Sequence, residues 1–367
     1  MRKMLLAGSL LFAYLNLFGQ PASPAWKRVE HLRHGINASQ WFAQSRDYSP
    51  QRLRTYTTPD DIANMHAMGF DHVRLSIDPA IFQCDRPWNQ CEPVQVLDEA
   101  IAKALSQDLA VIIDIHPSGD YKRQLATSDA AVEKFIMLWS RIASYYAVNN
   151  PDLLFFEVLN EPEIDVYRWA GIQQSVVQVV RRAAPLHTII VTCAEYSNLD
   201  DLARMPDVAD GNYIVTFHYY NPHIFTHQGA SWGEPYWATL QRVPFPGASD
   251  LVAAAVAKQN DDFARWKLTQ YGLEHWDADH VSGEIRFAAE WAKSRRVPLT
   301  CNEFGAYRDS SLPDDRMRWL QAARTALEQN HIGWTMWDYQ GGFGVVTKKG
   351  GTTSNDDAVL RALGLVR

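Results

Sequence analysis

Two glutamates in the sequence, Glu161 and Glu303, each follow an asparagine at the end of an apolar run. A lone glutamate after a strand is usually a solvated loop residue, but a repeated Asn-Glu pattern after two buried strands indicates a shared role. Paired carboxyl groups are suited to breaking glycosidic bonds, because one protonates the leaving oxygen while the other stays ionised. In an enzyme that retains anomeric configuration the two carboxyls stand roughly 5–5.5 Å apart, so that one can attack the sugar. The pair therefore predicts carbohydrate chemistry.

Six further polar or aromatic residues follow apolar runs in the same way: Arg74, His116, Asn160, His218, Tyr220 and Trp337. We expect Asn160 to bind the sugar 2-hydroxyl, a contact that strengthens in the transition state. Arg74 and Tyr220 are suited to holding Glu303 as an anion, and His218 to tuning the other glutamate. Each residue alone is as easily a packed core residue, and their common placement is what favours a site.

Eight short apolar runs are predicted strands, and they alternate with segments of helical periodicity. Most are nearly continuous apolar runs, which is typical of parallel strands buried on both faces. The predicted strands are 34–38, 72–76, 109–115, 153–160, 188–193, 213–218, 298–303 and 332–337.

The intervening segments predict helices. Apolar residues recur at helical spacing between 132 and 146, where Ser128 is placed to cap the helix, and again between 320 and 327, after Pro313. Eight strand–helix units predict an α/β fold, a single (β/α)8 TIM barrel, whose active site lies at the carboxyl ends of the strands. A doubly wound open sheet is the alternative, but no GxGxxG turn supports it.

The predicted barrel carries a long insertion after strand six, at about 221–280, which is rich in Trp, Tyr and Phe. Long ordered loops in compact domains are often functional, so we expect Trp232, Tyr236 and Trp237 to form a wall that stacks on sugars. The alternative is a decorative segment packed on the outside of the barrel.

The N-terminus predicts a signal peptide at 1–25, followed by the catalytic barrel at 26–367. Arg2 and Lys3 precede a short apolar run and a small-residue exit, with cleavage after Ala25 or Ala22. The run is short for a membrane span of roughly 20 residues, and an uncleaved anchor is the alternative. We therefore predict a secreted protein, extracellular or periplasmic.

The four cysteines divide by their surroundings. Cys84 and Cys91 bracket a short loop and are predicted to form a disulfide in an exported protein, whereas Cys193 and Cys301 lie in apolar runs as buried thiols. The net charge of −7, without runs of Lys or Arg, excludes an electrostatic surface for nucleic acid or anionic lipid. We expect a monomer that acts on a β-linked polysaccharide or oligosaccharide and needs no cofactor or metal.

The chain resembles glycoside hydrolase family 5, the cellulase-like retaining barrel enzymes. The matching motifs, in chain order, are HGIN, VRLSID, DIHP, VLNEP, FHYY, CNEFG and TMWDY, and they span essentially the whole predicted domain. The resemblance implies that Glu161 is the acid/base and Glu303 the nucleophile. It also implies that Arg74, His116, Asn160, His218, Tyr220 and Trp337 contact the substrate or the catalytic pair. The chain departs from the family at Pro117, where many members have a second histidine.

Within this resemblance we expect an endo-β-1,4-glucanase, with a β-mannanase or an exo-acting β-glucosidase or glucanase as alternatives. Two other classes stay open. One is a non-catalytic carbohydrate-binding barrel, which the presence of both glutamates disfavours. The other is a metal-dependent hydrolase built on Asp114, His116, His218 and one of the two glutamates, for which no HxH or HExxH spacing is present.

Overall fold

A computed structural model describes residues 23–365. Eight parallel strands pair in sequence order, and the last pairs with the first to close the barrel. The predicted (β/α)8 TIM barrel is confirmed. Its strands are β1 His34–Phe42, β2 His72–Ile77, β3 Ala110–Ile115, β4 Leu154–Glu157, β5 Thr188–Thr192, β6 Tyr213–Tyr219, β7 Leu299–Phe304 and β8 Gly333–Met336.

Helices surround the barrel and cover its amino-terminal end. They are α1 Pro24–Arg28, α2 Pro50–Tyr56, α3 Pro59–Ala67, α4 Glu92–Leu105, α5 Gly119–Thr127, α6 Asp129–Tyr146, α7 Val166–Ala183, α8 His223–Thr226, α9 Ser249–Lys258, α10 Asp262–Leu273, α11 Ala278–Arg295, α12 Pro313–Gln329 and α13 Asp357–Ala362. The predicted caps are confirmed, because the Ser128 side chain accepts from the Ala131 amide and Pro313 opens α12.

The interior of the barrel changes from apolar to polar along its axis. At the amino-terminal end Ala25 of α1 joins a separate cluster of buried residues that includes Ile112 and Phe155. In the next layer a Cβ at Gly35 would lie 2.0 Å from the His72 ring, so only glycine fits there. At the opposite end the interior side chains are charged. This gradient places the chemistry at the carboxyl ends of the strands.

The insertion between β6 and β7 contains α8, a 3-10 turn at Pro235–Thr239, α9 and α10. It ends slightly earlier than predicted, because α11 begins at Ala278 and packs on α12 as an ordinary barrel helix. An unpredicted hairpin, β9 Val346–Lys349 and β10 Thr352–Asn355, follows β8.

The cysteines follow the prediction. Cys84 and Cys91 form a disulfide, while Cys193 and Cys301 are buried and free. No helix between residues 23 and 365 has the length and apolar character needed to cross a membrane. Most of the predicted signal peptide, residues 1–22, lies outside the described residues.

Candidate active site

Arg74 is the centre of the polar layer at the top of the barrel. Its guanidinium is fully buried and makes a bidentate pair with Glu157, with Nε–Oε2 and Nη2–Oε1 distances of 2.9 and 2.7 Å. The same group donates to Asn160 Oδ1 at 2.9 Å and to Glu303 Oε1 at 2.7 Å. It also lies 3.0 Å from Asp114. One buried cation thus orients several carboxylates and offsets part of their charge. Burying any of these charged groups without a partner would be very costly.

Glu157 was not predicted from the sequence. It is the last residue of β4, it is buried, and besides Arg74 it accepts a hydrogen bond from Asn302 Nδ2 at 2.6 Å. Asn37 of β1 completes the layer, because its amide donates to the Asn302 carbonyl at 2.9 Å and accepts from Arg74. The sequence does contain an indication of this role, since a single carboxylate in an apolar strand must find a buried partner.

Glu161 and Glu303 face each other across the barrel mouth. Glu303 is fixed by Arg74 and by the Tyr220 hydroxyl, which donates to Oε2 at 2.9 Å. Glu161 accepts from His218 Nδ1 at 3.0 Å, and the same nitrogen lies 3.5 Å from Glu303 Oε2. The predicted pairings of Arg74 and Tyr220 with Glu303, and of His218 with Glu161, are confirmed. One carboxylate oxygen from each glutamate and a His218 nitrogen all lie within 4.8 Å of one another.

His218 holds a proton between the two glutamates. Burial lowers the pKa of His218, but the charge of Glu303 and the hydrogen bond to Glu161 raise it above its usual value. Burial raises the pKa of Glu161, yet the hydrogen bond and charge of His218 bring it down to about 2. In the resting site the proton of the pair therefore resides on His218, in contact with both carboxylates. The three groups are close enough to share a metal ion, but a protonated His218 has no lone pair at Nδ1 with which to bind one.

His116 orients the amide of Asn160. Burial lowers the pKa of His116 to about 3, so its ring is neutral at neutral pH. Its Nδ1 lies 2.9 Å from Asp114 Oδ2, and Asn160 Nδ2 lies 3.2 Å from its Nε2. With Nδ1 protonated, Nε2 accepts from Asn160 and fixes which way that amide points. Burial raises the pKa of Asp114 to about 6, although the Arg74 charge opposes that change.

The backbone after β4 turns Glu161 toward the cleft. The sequence predicted a strand up to residue 160, but regular pairing ends at Glu157. The Val158 and Asn160 amides still bond to the neighbouring strands, at Ile190 and Ile115. Glu161 then adopts a left-handed backbone with φ of 45°. That conformation is costly for a residue other than glycine and is typical of functional sites.

A second left-handed segment lies beside Glu161. Glu195, Tyr196 and Ser197 have φ values of 51°, 66° and 58°. The Tyr196 amide bonds to the Pro162 carbonyl at 3.3 Å, so the turn is joined to the loop that carries Glu161. The Tyr196 ring is half exposed and lines the cleft. Glu195 itself is exposed.

All eight predicted site residues converge at the barrel mouth. Seven of them line a cleft of about 1180 Å³, and Arg74 lies buried beneath it. Trp337 forms one wall, stacked against the His116 ring with centroids 5.7 Å apart. The insertion contributes another part of the wall, because Trp232, Tyr236 and Trp237 also line the cleft.

This barrel, with paired carboxylates at the ends of β4 and β7, matches the family model for cellulase (glycosyl hydrolase family 5) over residues 33–342. The chain belongs to glycosyl hydrolase family 5. The family 5 barrel is therefore a glycoside hydrolase, and the match covers both strands that carry the glutamates.

Relatives of the chain include endoglucanases. Endoglucanase C of Acetivibrio thermocellus is 27% identical over 319 residues, which are 84% of this chain and 91% of that protein. Endoglucanase 3 of Fibrobacter succinogenes is 26% identical over 87% of this chain and 51% of its own length. Among solved structures, an endoglucanase from the hyperthermophilic Thermotoga maritima has a TM-score of 0.75 at 28% identity, covering 93% of this chain and all of that chain.

Proposed function

We propose that this family 5 enzyme is an endo-β-1,4-glucanase that acts by double displacement, with Glu303 as nucleophile and Glu161 as acid/base. The observation that carries the proposal is the approach of the two carboxylates, with one oxygen of each and a His218 nitrogen within 4.8 Å of one another. That separation suits direct attack on the sugar, because an inverting enzyme needs roughly 6.5–9.5 Å to admit water between its carboxyls.

In the first step a Glu303 oxygen attacks the anomeric carbon, and the bond to the leaving oxygen breaks with its electron pair. Glu161 supplies the proton to that oxygen. As Glu303 becomes an ester its negative charge disappears, so the charge that raised the pKa of His218 is lost. His218 therefore gives its proton to Glu161, to which it is already hydrogen-bonded, as Glu161 gives a proton to the leaving oxygen, so the first step ends with Glu161 as a carboxylate and His218 neutral.

In the second step Glu161, now a carboxylate, takes a proton from water as the water oxygen attacks the anomeric carbon. The ester bond to Glu303 breaks, and Arg74 and Tyr220 stabilise the released carboxylate. Asn160, held by His116 and Arg74, binds the sugar 2-hydroxyl, and Trp337 supplies the platform beneath that sugar. Both displacements invert the anomeric carbon, so the overall reaction retains its configuration.

The substrate class is supported by the relatives and by the shape of the cleft. The Thermotoga maritima endoglucanase, similar to this chain at 27% identity with TM-scores of 0.74 and 0.73, has structures in complex with cellobiose and with mannotriose. The cleft extends from Gln40 of β1 and Gln44 just after that strand to Glu274, the residue that follows α10. A long open cleft favours internal cleavage of a chain over removal of terminal sugars, and β-mannan is the second candidate substrate.

We also propose that the protein is exported and acts as a monomer. We place signal cleavage after Ala22 rather than after Ala25. The Ser23 side chain caps α1, and Ala25 is buried at the amino-terminal end of the barrel. Cleavage after Ala25 would remove both. N-terminal sequencing of the mature protein tests the site, and a mature chain starting at Trp26 would contradict the proposal.

The function is tested with a panel of carboxymethyl cellulose, mixed-linkage glucan, xyloglucan and mannan, read by reducing-end formation and viscosity. We expect an early fall in the viscosity of carboxymethyl cellulose and mixed oligosaccharide products, and activity that persists in EDTA. NMR of the first products should show the β-anomer. Glucose as the sole early product would contradict endo cleavage, and an α-anomer would contradict double displacement.

A further inference from the structure

Helix α10 of the insertion presents one continuous face to the cleft. The residues of this face recur at helical spacing: Phe263, Trp266, Lys267, Gln270 and Glu274. The adjoining side of the helix is packed, since Ala264 and Leu268 are buried, and Tyr271 at the boundary is buried with its hydroxyl donating to the Pro244 carbonyl at 2.6 Å. We call the cleft-lining side from Phe263 to Glu274 the outer face. At 1.5 Å per residue it is about 16 Å long, which is longer than a single sugar ring.

Two aromatic rings on this outer face are exposed to a degree that core packing does not explain. Phe263 is 51% exposed and Trp266 is 52% exposed, although both are large apolar side chains. Their ring centroids lie 5.7 Å apart, and the Lys267 ammonium lies 5.6 Å from one and 5.2 Å from the other. The cation orders the two rings, and each still presents about half of its surface to solvent.

The rings continue an aromatic series that begins at the catalytic pair. Tyr220, which donates to Glu303, contacts the His227 ring, and His227 contacts Trp237 at 4.7 Å. Trp237 contacts Tyr236 at 6.3 Å, and Tyr236 meets the edge of Phe263 at 5.3 Å. The outer face is therefore the far end of the substrate cleft and not a separate patch.

We propose that the outer face of α10 is a distal binding site for the β-linked glucan chain. The site holds sugars remote from the bond that is cut. Sugars offer apolar C–H faces and hydroxyl edges, and this face alternates aromatic rings with the polar groups of Lys267, Gln270 and Glu274. A membrane or a second protein copy would favour a wider and more continuously apolar surface. The inference rests on the proposed glucanase function. It adds that the enzyme also recognises sugars of the chain that lie far from the cleaved bond.

The test compares cellohexaose with 4-nitrophenyl β-cellobioside, which is too short to span the cleft. The double substitution Phe263→Ala/Trp266→Ala should lower kcat/KM for cellohexaose, relative to kcat/KM for the cellobioside, by about 5- to 30-fold. Each lost ring–sugar stack should contribute about five-fold to this change. Trp266→Phe, which keeps a ring, should lose less than Trp266→Ala. Phe287→Ala is the matched control, because Phe287 is 43% exposed on α11 outside the cleft.

A binding measurement separates this site from the chemistry. Electrophoresis through hydroxyethyl cellulose, in the Glu303→Gln background, should show retardation that the double substitution abolishes and Phe287→Ala preserves. Equal losses on both substrates, or an unchanged ratio, would overturn the distal site while leaving the glucanase proposal intact. A concentration-dependent change in oligomeric state on substitution would mean that a second copy occupies the face. Wild-type protein inactive on every β-glucan would instead refute the proposed function.

Discussion

Glu157→Gln is the substitution that best probes the polar layer under the active site. Glu157 accepts from Arg74 Nε, Arg74 Nη2 and Asn302 Nδ2 at 2.6–2.9 Å. Glutamine keeps one acceptor oxygen but points an amide NH2 at the other position, toward at least one N–H donor. Breaking one side of a buried ion pair costs about 3–5 kcal/mol. With about 0.7 kcal/mol/K of unfolding entropy for a domain of about 340 residues, Tm should fall by about 4–7 °C.

The assay is a thermal scan at fixed rate, paired with kcat/KM on an aryl cellobioside. Activity should fall roughly ten- to hundred-fold as well, because Arg74 loses the anchor that aims it at Glu303. Glu99→Gln is the control, since Glu99 forms an exposed pair with Arg54 worth at most about 1 kcal/mol. A Glu157→Gln protein that melts within about 1 °C of the wild type would refute this account of the layer.

Three further outcomes are expected. Activity requires the proton that His218 shares with Glu161. Because the pKa of His218 is raised, His218 keeps this proton until the pH exceeds that raised pKa, and activity falls above it. His218→Asn leaves the proton to a carboxyl and should move the alkaline limb of kcat/KM to lower pH; an unmoved limb would contradict the shared proton. Thiol counting in denaturant without reductant should find two free thiols, and four would reject the Cys84–Cys91 disulfide. Trp232→Ala should raise KM several-fold more for long oligosaccharides than for aryl cellobiosides. A lower Tm with equal losses on both would mean that the ring only packs.

The barrel and most of the site could be predicted because they depend on local patterns. Near-continuous apolar runs identified the strands, and the residues that follow them had to meet at one end of a closed barrel. Arg74, Tyr220 and His218 reach the glutamates that the sequence assigned to them.

The rest depended on side-chain direction and backbone conformation, which periodicity does not encode. A continuous apolar run does not show which residues of β4 point inward, so Glu157 was missed. The left-handed turn at Tyr196 contains no glycine, the residue that usually signals positive φ. In the insertion, aromatic content indicated a wall, but only the packing of α10 shows that Phe263 and Trp266 face the cleft.

The central claim is that Glu303 forms a covalent bond to the sugar. The most direct measurement is intact mass spectrometry after incubation with an activated 2-deoxy-2-fluoro-β-cellobioside, followed by peptide mapping. We expect one fluoro-cellobiosyl group to be added per protein molecule, on Glu303, and no adduct to form on the Glu303→Gln protein. A label on any other residue, or continued turnover of normal substrate by folded Glu303→Gln protein, would contradict it.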